Sequence, residues 1–285
     1  MTDNYSDIIS KLKVLAQQDN DIVAVIAIGS STRISTPSDE YSDLDLIIVT
    51  AAPELWYSGE YPERLGDVRI SFIEPTLGGG KERRVIYDAG RDVDMLIFTP
   101  EQFEKCLREG VAQWVMNRGY VIHYAQDDYD LVMQIIKHVS LGVSPPDMSG
   151  EDFLNMVNDF YFHNIWAYKK LRRGEIWSAK VCVDGYLKER LLKVAELYCV
   201  KKHGKDVWHD GRFFDSWADE DILAEIRQCF ARYDAADIET ALYNTHKLFA
   251  RLAKELAATL NVTYPETAEE TARSFCGFRS DDIPF

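Results

Sequence analysis

The chain has 285 residues, 46% of them hydrophobic and 28% charged, with a formal net charge of −15. That is the composition of a globular protein with room for one large or two ordinary domains, and it excludes disordered and fibrous classes. No apolar run approaches the ~18 residues of a bilayer span, residues 1–20 are too polar for a secretory signal, and so acidic a surface repels a phosphate backbone; we expect a cytoplasmic protein with no membrane and no nucleic-acid partner.

Residues 3–18 carry Ile8, Ile9, Leu12 and Leu15 at helical spacing and predict an amphipathic helix. The run from Ile22 to Ile28 is apolar throughout and ends at Gly29-Ser30, the pattern of a strand buried on both faces. Turn-forming residues fill 31–42, and a second buried strand follows over 44–49, interrupted by acidic residues at its start. Further strands are expected at 68–73, 84–87 and 93–98, helices at 101–116 and 128–139, and a short edge strand at 120–124. Gly78-Gly79-Gly80 reads as a flexible turn, because the spacing of a phosphate-binding loop is missing.

Residues 144–150 (SPPDMSG) punctuate the chain, and beyond them long 3.6-period stripes predict helices over 151–173, 177–202, 219–232 and 235–260. The expected fold class is therefore α+β: a mixed-sheet domain over 1–146 followed by an all-helical bundle over 147–285. Acidic and basic residues number 24 and 13 up to residue 148 and 23 and 19 beyond it, so the first half holds most of the negative charge. Such a field favours a cationic small molecule. The five cysteines are odd in number and never at C-x-x-C spacing, which points to buried thiols.

The chemistry is carried by Gly29-Ser30, a gap of twelve residues, and Asp43-Leu44-Asp45. Two residues apart on a strand, Asp43 and Asp45 point to one face, where paired carboxylates repel and lose solvation unless a cation joins them. Mg²⁺ answers that need and completes its shell with substrate phosphates. Gly29 and Ser30, at the end of the preceding strand, let backbone amides approach a phosphate. Asp94, deep in the apolar run of the 93–98 strand, is the third carboxylate, preferred over Asp92. Three carboxylates around two metal ions form a clamp for phosphoryl chemistry.

The pattern Gly29-Ser30, Asp43-Leu44-Asp45 and Asp94 resembles the nucleotidyltransferase superfamily that includes DNA polymerase beta. Within it the whole chain resembles the aminoglycoside 6-adenylyltransferases, the streptomycin-modifying branch, through Asn158-Asp159-Phe160-Tyr161, Gly174-Glu175-Ile176, Ala179-Lys180, Arg190, Val207-Trp208, Arg212-Phe213 and Asn261-Val262-Thr263-Tyr264-Pro265. One departure is Ser31, where that branch carries a basic residue directly after the Gly-Ser pair. The resemblance implies a nucleotidyltransferase domain and a helical substrate-binding domain. It implies that Gly29 and Ser30 bind the triphosphate of ATP, that Asp43 and Asp45 ligate magnesium, and that Asp94 is a further metal ligand or the base for the acceptor hydroxyl. The expected reaction is transfer of AMP to a hydroxyl of an aminoglycoside such as streptomycin.

In the helical half, Asp152, Asp159, His163 and Trp166 share a helix face away from the apolar stripe, and Asp159 and Trp166 are the candidates for a cationic sugar. Asp159, within the family-like segment, is also the rival to Asp94 as base. Lys180, Asp184 and Lys188 form an i, i+4 stripe that reads as a surface ion-pair ladder, with Lys180 a candidate contact to the triphosphate. Two other readings stand beside this one: a nucleotidyltransferase for a lincosamide or a protein target, and a nucleotide-binding regulator without catalysis. The presence of all three carboxylates weighs against the second.

Overall fold

The computed structural model describes residues 3–33, 38–127, 129–142, 145–207 and 209–278. The predicted features that touch positions 34–37, Asp128, Ser144 and Trp208 lie in part outside the described residues. The chain divides into two compact units, Met1–Ser144 and Pro145–Phe285. The sequence expectation put the break after residue 146.

The first unit is built on six strands: β1 (Ile22–Ile28), β2 (Leu44–Thr50), β3 (Val68–Pro75), β4 (Lys81–Tyr87), β5 (Asp92–Phe98) and β6 (Val121–Ala125). Their order is β3-β4-β5-β2-β1-β6, and the sheet is mixed: β2 and β5 run parallel, the other neighbours antiparallel. β1 is buried at every position, because apolar layers cover both faces. On one face α1 (Ser6–Gln18), α2 (Pro53–Tyr57) and α3 (Glu60–Leu65) bring Ile8, Leu12, Trp56 and Tyr61 against Leu46 and Met95. On the other, α4 (Pro100–Arg108), α5 (Gln113–Met116) and α6 (Leu131–His138) bring Phe103, Leu107 and Leu131 against Ile26 and Ile47. Each such side chain contributes roughly 1.5–3 kcal/mol on burial.

Local chemistry sets the element ends. Thr99 and Gln102 form a reciprocal capping box that starts α4. The helix expected over 101–116 instead stops at Arg108, where Gly110 turns left-handed (φ +78) and the Val111 N–H returns to Cys106 O, so α5 begins afresh. The glycine turn at 78–80 closes the β3–β4 hairpin as a short 3-10 turn, Leu77–Gly79, and packing requires glycine at two of its positions: a Cβ on Gly78 would meet Cys106 Sγ at 2.0 Å, and one on Gly80 would meet Ile97 O at 2.6 Å. α2 and α3 escaped the sequence reading because they are five and six residues long, too short for periodicity to register.

Among the described residues the second unit is helical throughout: α7 (Gly150–Arg172), α8 (Ile176–Val181), α9 (Leu187–His203), α10 (Phe214–Trp217), α11 (Glu220–Ile226), α12 (Ala235–Thr259) and α13 (Glu266–Cys276). Ser149 caps α7 and Asp234 caps α12 through hydrogen bonds to their first-turn amides. Phe160, Leu187, Leu191, Phe249 and Leu252 sit in one core, with Phe160 stacked on Phe249 at 3.6 Å. The helix expected over 177–202 runs from Ile176 to His203 with a π turn, Cys182–Tyr186, inside it, and the one expected over 219–232 ends at Ile226. All five cysteine side chains are buried free thiols. No helix among the described residues is long and apolar enough to cross a membrane.

Candidate active site

Asp43 immediately precedes β2 and Asp45 is its second residue, so both fall on the face that carries Ile47 and Val49. β5 lies beside β2 with Asp94 as the register partner of Asp45. One carboxylate oxygen from each of Asp43, Asp45 and Asp94 lies within 4.8 Å of the others. The parallel β2–β5 pairing thus joins two acidic positions 49 residues apart in sequence.

β1 supplies the third wall. It ends with Ile28 opposite Asp45, and the chain turns through a 3-10 segment, Gly29–Thr32. The Ser31 and Thr32 hydroxyls donate back to Ile28 O and Gly29 O and tighten the turn. Gly29 has φ +71, and a Cβ there would lie 1.8 Å from Asp45 Oδ2. Only glycine fits both the left-handed backbone and the carboxylate pressed against it. Ser30 Oγ is buried with no hydrogen-bond partner, and so is Asp94 Oδ1.

The electrostatics follow from burial. Asp94 is 6% exposed, and desolvation pushes its carboxyl up to about 7, opposed by Arg84 and reinforced by Asp92, Glu82 and Asp45. Asp92 is raised as well, by burial and then by the charge of Asp43. Arg84 was not anticipated. It is the β4 register partner of Asp94, with Nη1 3.6 Å from Asp94 Oδ2, and its Nε sits 2.9 Å from both Glu74 and Glu82. The signal that identifies it is strand register, which a local pattern does not contain. Three clustered carboxylates with an unpartnered buried oxygen form an all-oxygen donor set that fits a hard divalent cation.

The candidates in the helical unit have partners of their own. The Asp159 carboxylate accepts from Tyr186 Oη at 2.9 Å and Arg190 Nε at 3.0 Å, and His163 Nδ1 lies 3.0 Å from its Oδ1. It borders a polar pocket of about 740 Å³ with Asp152, Asn155, Asn158, Arg190 and Lys193. Trp166, 36% exposed, borders a different pocket with Lys169, Lys170, Arg172 and Arg173, and Lys170 Nζ lies 5.2 Å from its ring centroid. The structure therefore does not bring Asp159 and Trp166 to one pocket. Lys180 is ion-paired with Asp184. The expected surface ladder is corrected here: Asp184 and Lys188 are 14% and 9% exposed, because both pack against other parts of the unit, Lys188 against Thr245 on α12 and Asp184 against the Ala231 N–H.

The family model described as Streptomycin adenylyltransferase matches residues 3–277. Solved structures that align with the chain include an aminoglycoside 6-adenyltransferase from Bacillus subtilis, at 14% identity and a TM-score of 0.45 over 95% of each chain. A nucleotidyltransferase-like protein from Exiguobacterium sibiricum aligns at 13% identity and a TM-score of 0.37, over 89% of this chain and 78% of that one. No curated protein matches the chain significantly. The match over residues 3–277 places the chain in the streptomycin adenylyltransferase family, and it is accordingly a nucleotidyltransferase.

Proposed function

We propose that the protein transfers AMP from ATP to a hydroxyl of a small cationic acceptor, an aminoglycoside such as streptomycin, with Asp43, Asp45 and Asp94 holding magnesium. The observation that supports this most is the convergence of those three carboxylates beside the glycine turn that ends β1. Bound there, one or two Mg²⁺ ions would supply positive charge at the transferring phosphoryl group and at the departing pyrophosphate.

The chain's own residues do the rest. Gly29, lacking a side chain, leaves the backbone amides of its turn open to a phosphate, and the unpartnered Ser30 hydroxyl donates to a phosphate oxygen. Asp94 takes the acceptor's proton at Oδ1, while Arg84 steadies Oδ2. Without metal, burial holds the Asp94 carboxyl near neutrality, and a bound Mg²⁺ would favour its ionised form, the form that can accept a proton. In the helical unit, the carboxylates and amides around Asp159 are the chemistry for ammonium, guanidinium and hydroxyl groups. Lys180 and Trp166 have their charge and ring face engaged by Asp184 and Lys170, and we leave both out of the proposed site.

The test is incubation with ATP, magnesium and a panel of aminoglycosides and lincosamides, read by mass spectrometry. One added AMP on an aminoglycoside, lost in Asp45→Asn, is the expected result. Transfer to lincosamides alone, or to no acceptor at saturating magnesium, would overturn it.

A further inference from the structure

The helical unit contains a cavity of about 540 Å³ that shares no lining residue with the polar pocket around Asp159. Its walls are mostly apolar, with Leu191, Leu192, Ile222, Ile226 and Leu248 among them; Asp184, Glu189, Asp215 and Arg227 also line it, and Lys188 borders it as a buried cation. Cavities of this size with one or two placed polar groups are the form small-molecule sites take.

Lys188 is not an ordinary structural lysine. Its ammonium donates to Val183 O at 2.8 Å and Thr245 Oγ1 at 2.7 Å, both neutral acceptors. The carboxylate nearest to it, Asp184, stands off at 3.9 Å. That carboxylate is already engaged: Lys180 pairs with Oδ2, and the Ala231 N–H donates to the same oxygen at 3.2 Å. Burial lowers the Lys188 pKa to about 8, so at neutral pH the cation persists in a site that penalises it. A buried charge held mainly by neutral oxygens gains most from a counter-ion brought in by a ligand.

The surroundings complete the site. The π turn at Cys182–Tyr186 widens the backbone where Asp184 and Gly185 border the cavity, and nothing lies within 4 Å of the position a Cβ on Gly185 would take. π turns inside helices are frequent at functional sites. Phe230, 56% exposed, also borders the cavity, its ring centroid 5.1 Å from Lys188 Nζ, so an aromatic face and a cation stand together.

We propose that this cavity binds a small monoanion with an apolar, preferably aromatic, body, its anionic group on Lys188 and its body among the leucine and isoleucine side chains. The inference is independent of the transfer reaction.

The test uses two fluorescent probes on the intact chain: 8-anilinonaphthalene-1-sulfonate, which has the anion, and N-phenyl-1-naphthylamine, which lacks it. Wild type should bind the sulfonate saturably at one site per chain. Lys188→Met should weaken the sulfonate about tenfold or more, the value of one charge-assisted hydrogen bond, and leave the neutral probe unchanged. Lys188→Arg, which keeps the charge, should retain sulfonate binding, and Leu192→Trp, which fills the cavity, should abolish both. Cooperative thermal unfolding of each variant separates site binding from dye uptake by a loosened fold. Absence of saturable binding by wild type, equal sulfonate affinity in Lys188→Met, or undiminished binding in Leu192→Trp would each overturn the proposal.

Discussion

At Gly29 one missing side chain decides whether the site exists. A methyl there would occupy the position of the Asp45 carboxylate. Gly29→Ala should therefore fold, since the turn lies at the end of a strand anchored along its length, yet lose transfer activity about 100-fold or more through displacement of a metal ligand. Near-wild-type turnover would remove the turn from the mechanism. Asp43→Asn and Asp45→Asn belong to the same class, with losses of several kcal/mol in transition-state stabilisation and an intact circular dichroism spectrum.

Asp94 yields a prediction with a sign. Its folded pKa, about 7, lies above the ordinary carboxylate value near ~4, so the unfolded chain gives up this proton first as pH rises. The metal-free protein is thus favoured by this group below pH ~4, and the advantage disappears by about pH 7. In chelator, Asp94→Asn should melt higher than wild type at pH 8 by several degrees, with the gap closing at pH 5. A gap independent of pH would contradict the assignment. Magnesium binding should also release a proton near neutrality, and isothermal titration in buffers of different ionisation enthalpy measures it.

At the scale of elements, register matters more than composition. β4 was expected from residue 84 but starts at Lys81, and its antiparallel pairing with β5 sets Arg84 opposite Asp94. Because Arg84 holds the Asp94 pKa down, Arg84→Met should shift the acid limb of the rate–pH profile to higher pH and lower activity at pH 7 about tenfold. An unshifted limb would make Arg84 a purely structural ion pair. In the helical unit the π turn plays the comparable part. It lies within one continuous helix between α8 and α9, and Tyr186 at its end donates to Asp159. Asp159→Asn should raise the KM for a cationic acceptor and leave the KM for ATP unchanged. Equal weakening of both would place Asp159 elsewhere in the cycle.

At the scale of the molecule, each unit has its own buried core, the first in two layers over its sheet and the second around Phe160 and Phe249. A chain of residues 145–285 alone should accordingly unfold cooperatively with a strongly helical spectrum, and a molten, non-cooperative transition would show that its core is incomplete. Ligand linkage offers a second check. Magnesium with a non-hydrolysable ATP analogue at about 100 times its Kd should stabilise the whole protein by ~2.7 kcal/mol, and the shift should vanish in Asp45→Asn.

Much of this was legible in the residues. The unbroken apolar run of β1 announced a strand covered on both faces, because only burial stabilises such a sequence. The i, i+2 spacing of Asp43 and Asp45 dictated a shared face, because the strand period is two. The change to 3.6-residue stripes after residue 150 separated a mixed unit from a helical one. What only the tertiary structure decided is what depends on partners distant in sequence. The β2–β5 register brought Asp94, already preferred over Asp92 in the sequence, opposite Asp45, and the β4 register brought in Arg84. The fold around Lys188 turned an apparent surface ladder into a buried cation beside an apolar cavity. Local periodicity encodes which face a side chain takes, whereas register, burial and the pKa shifts that follow are properties of what the rest of the chain packs against that face.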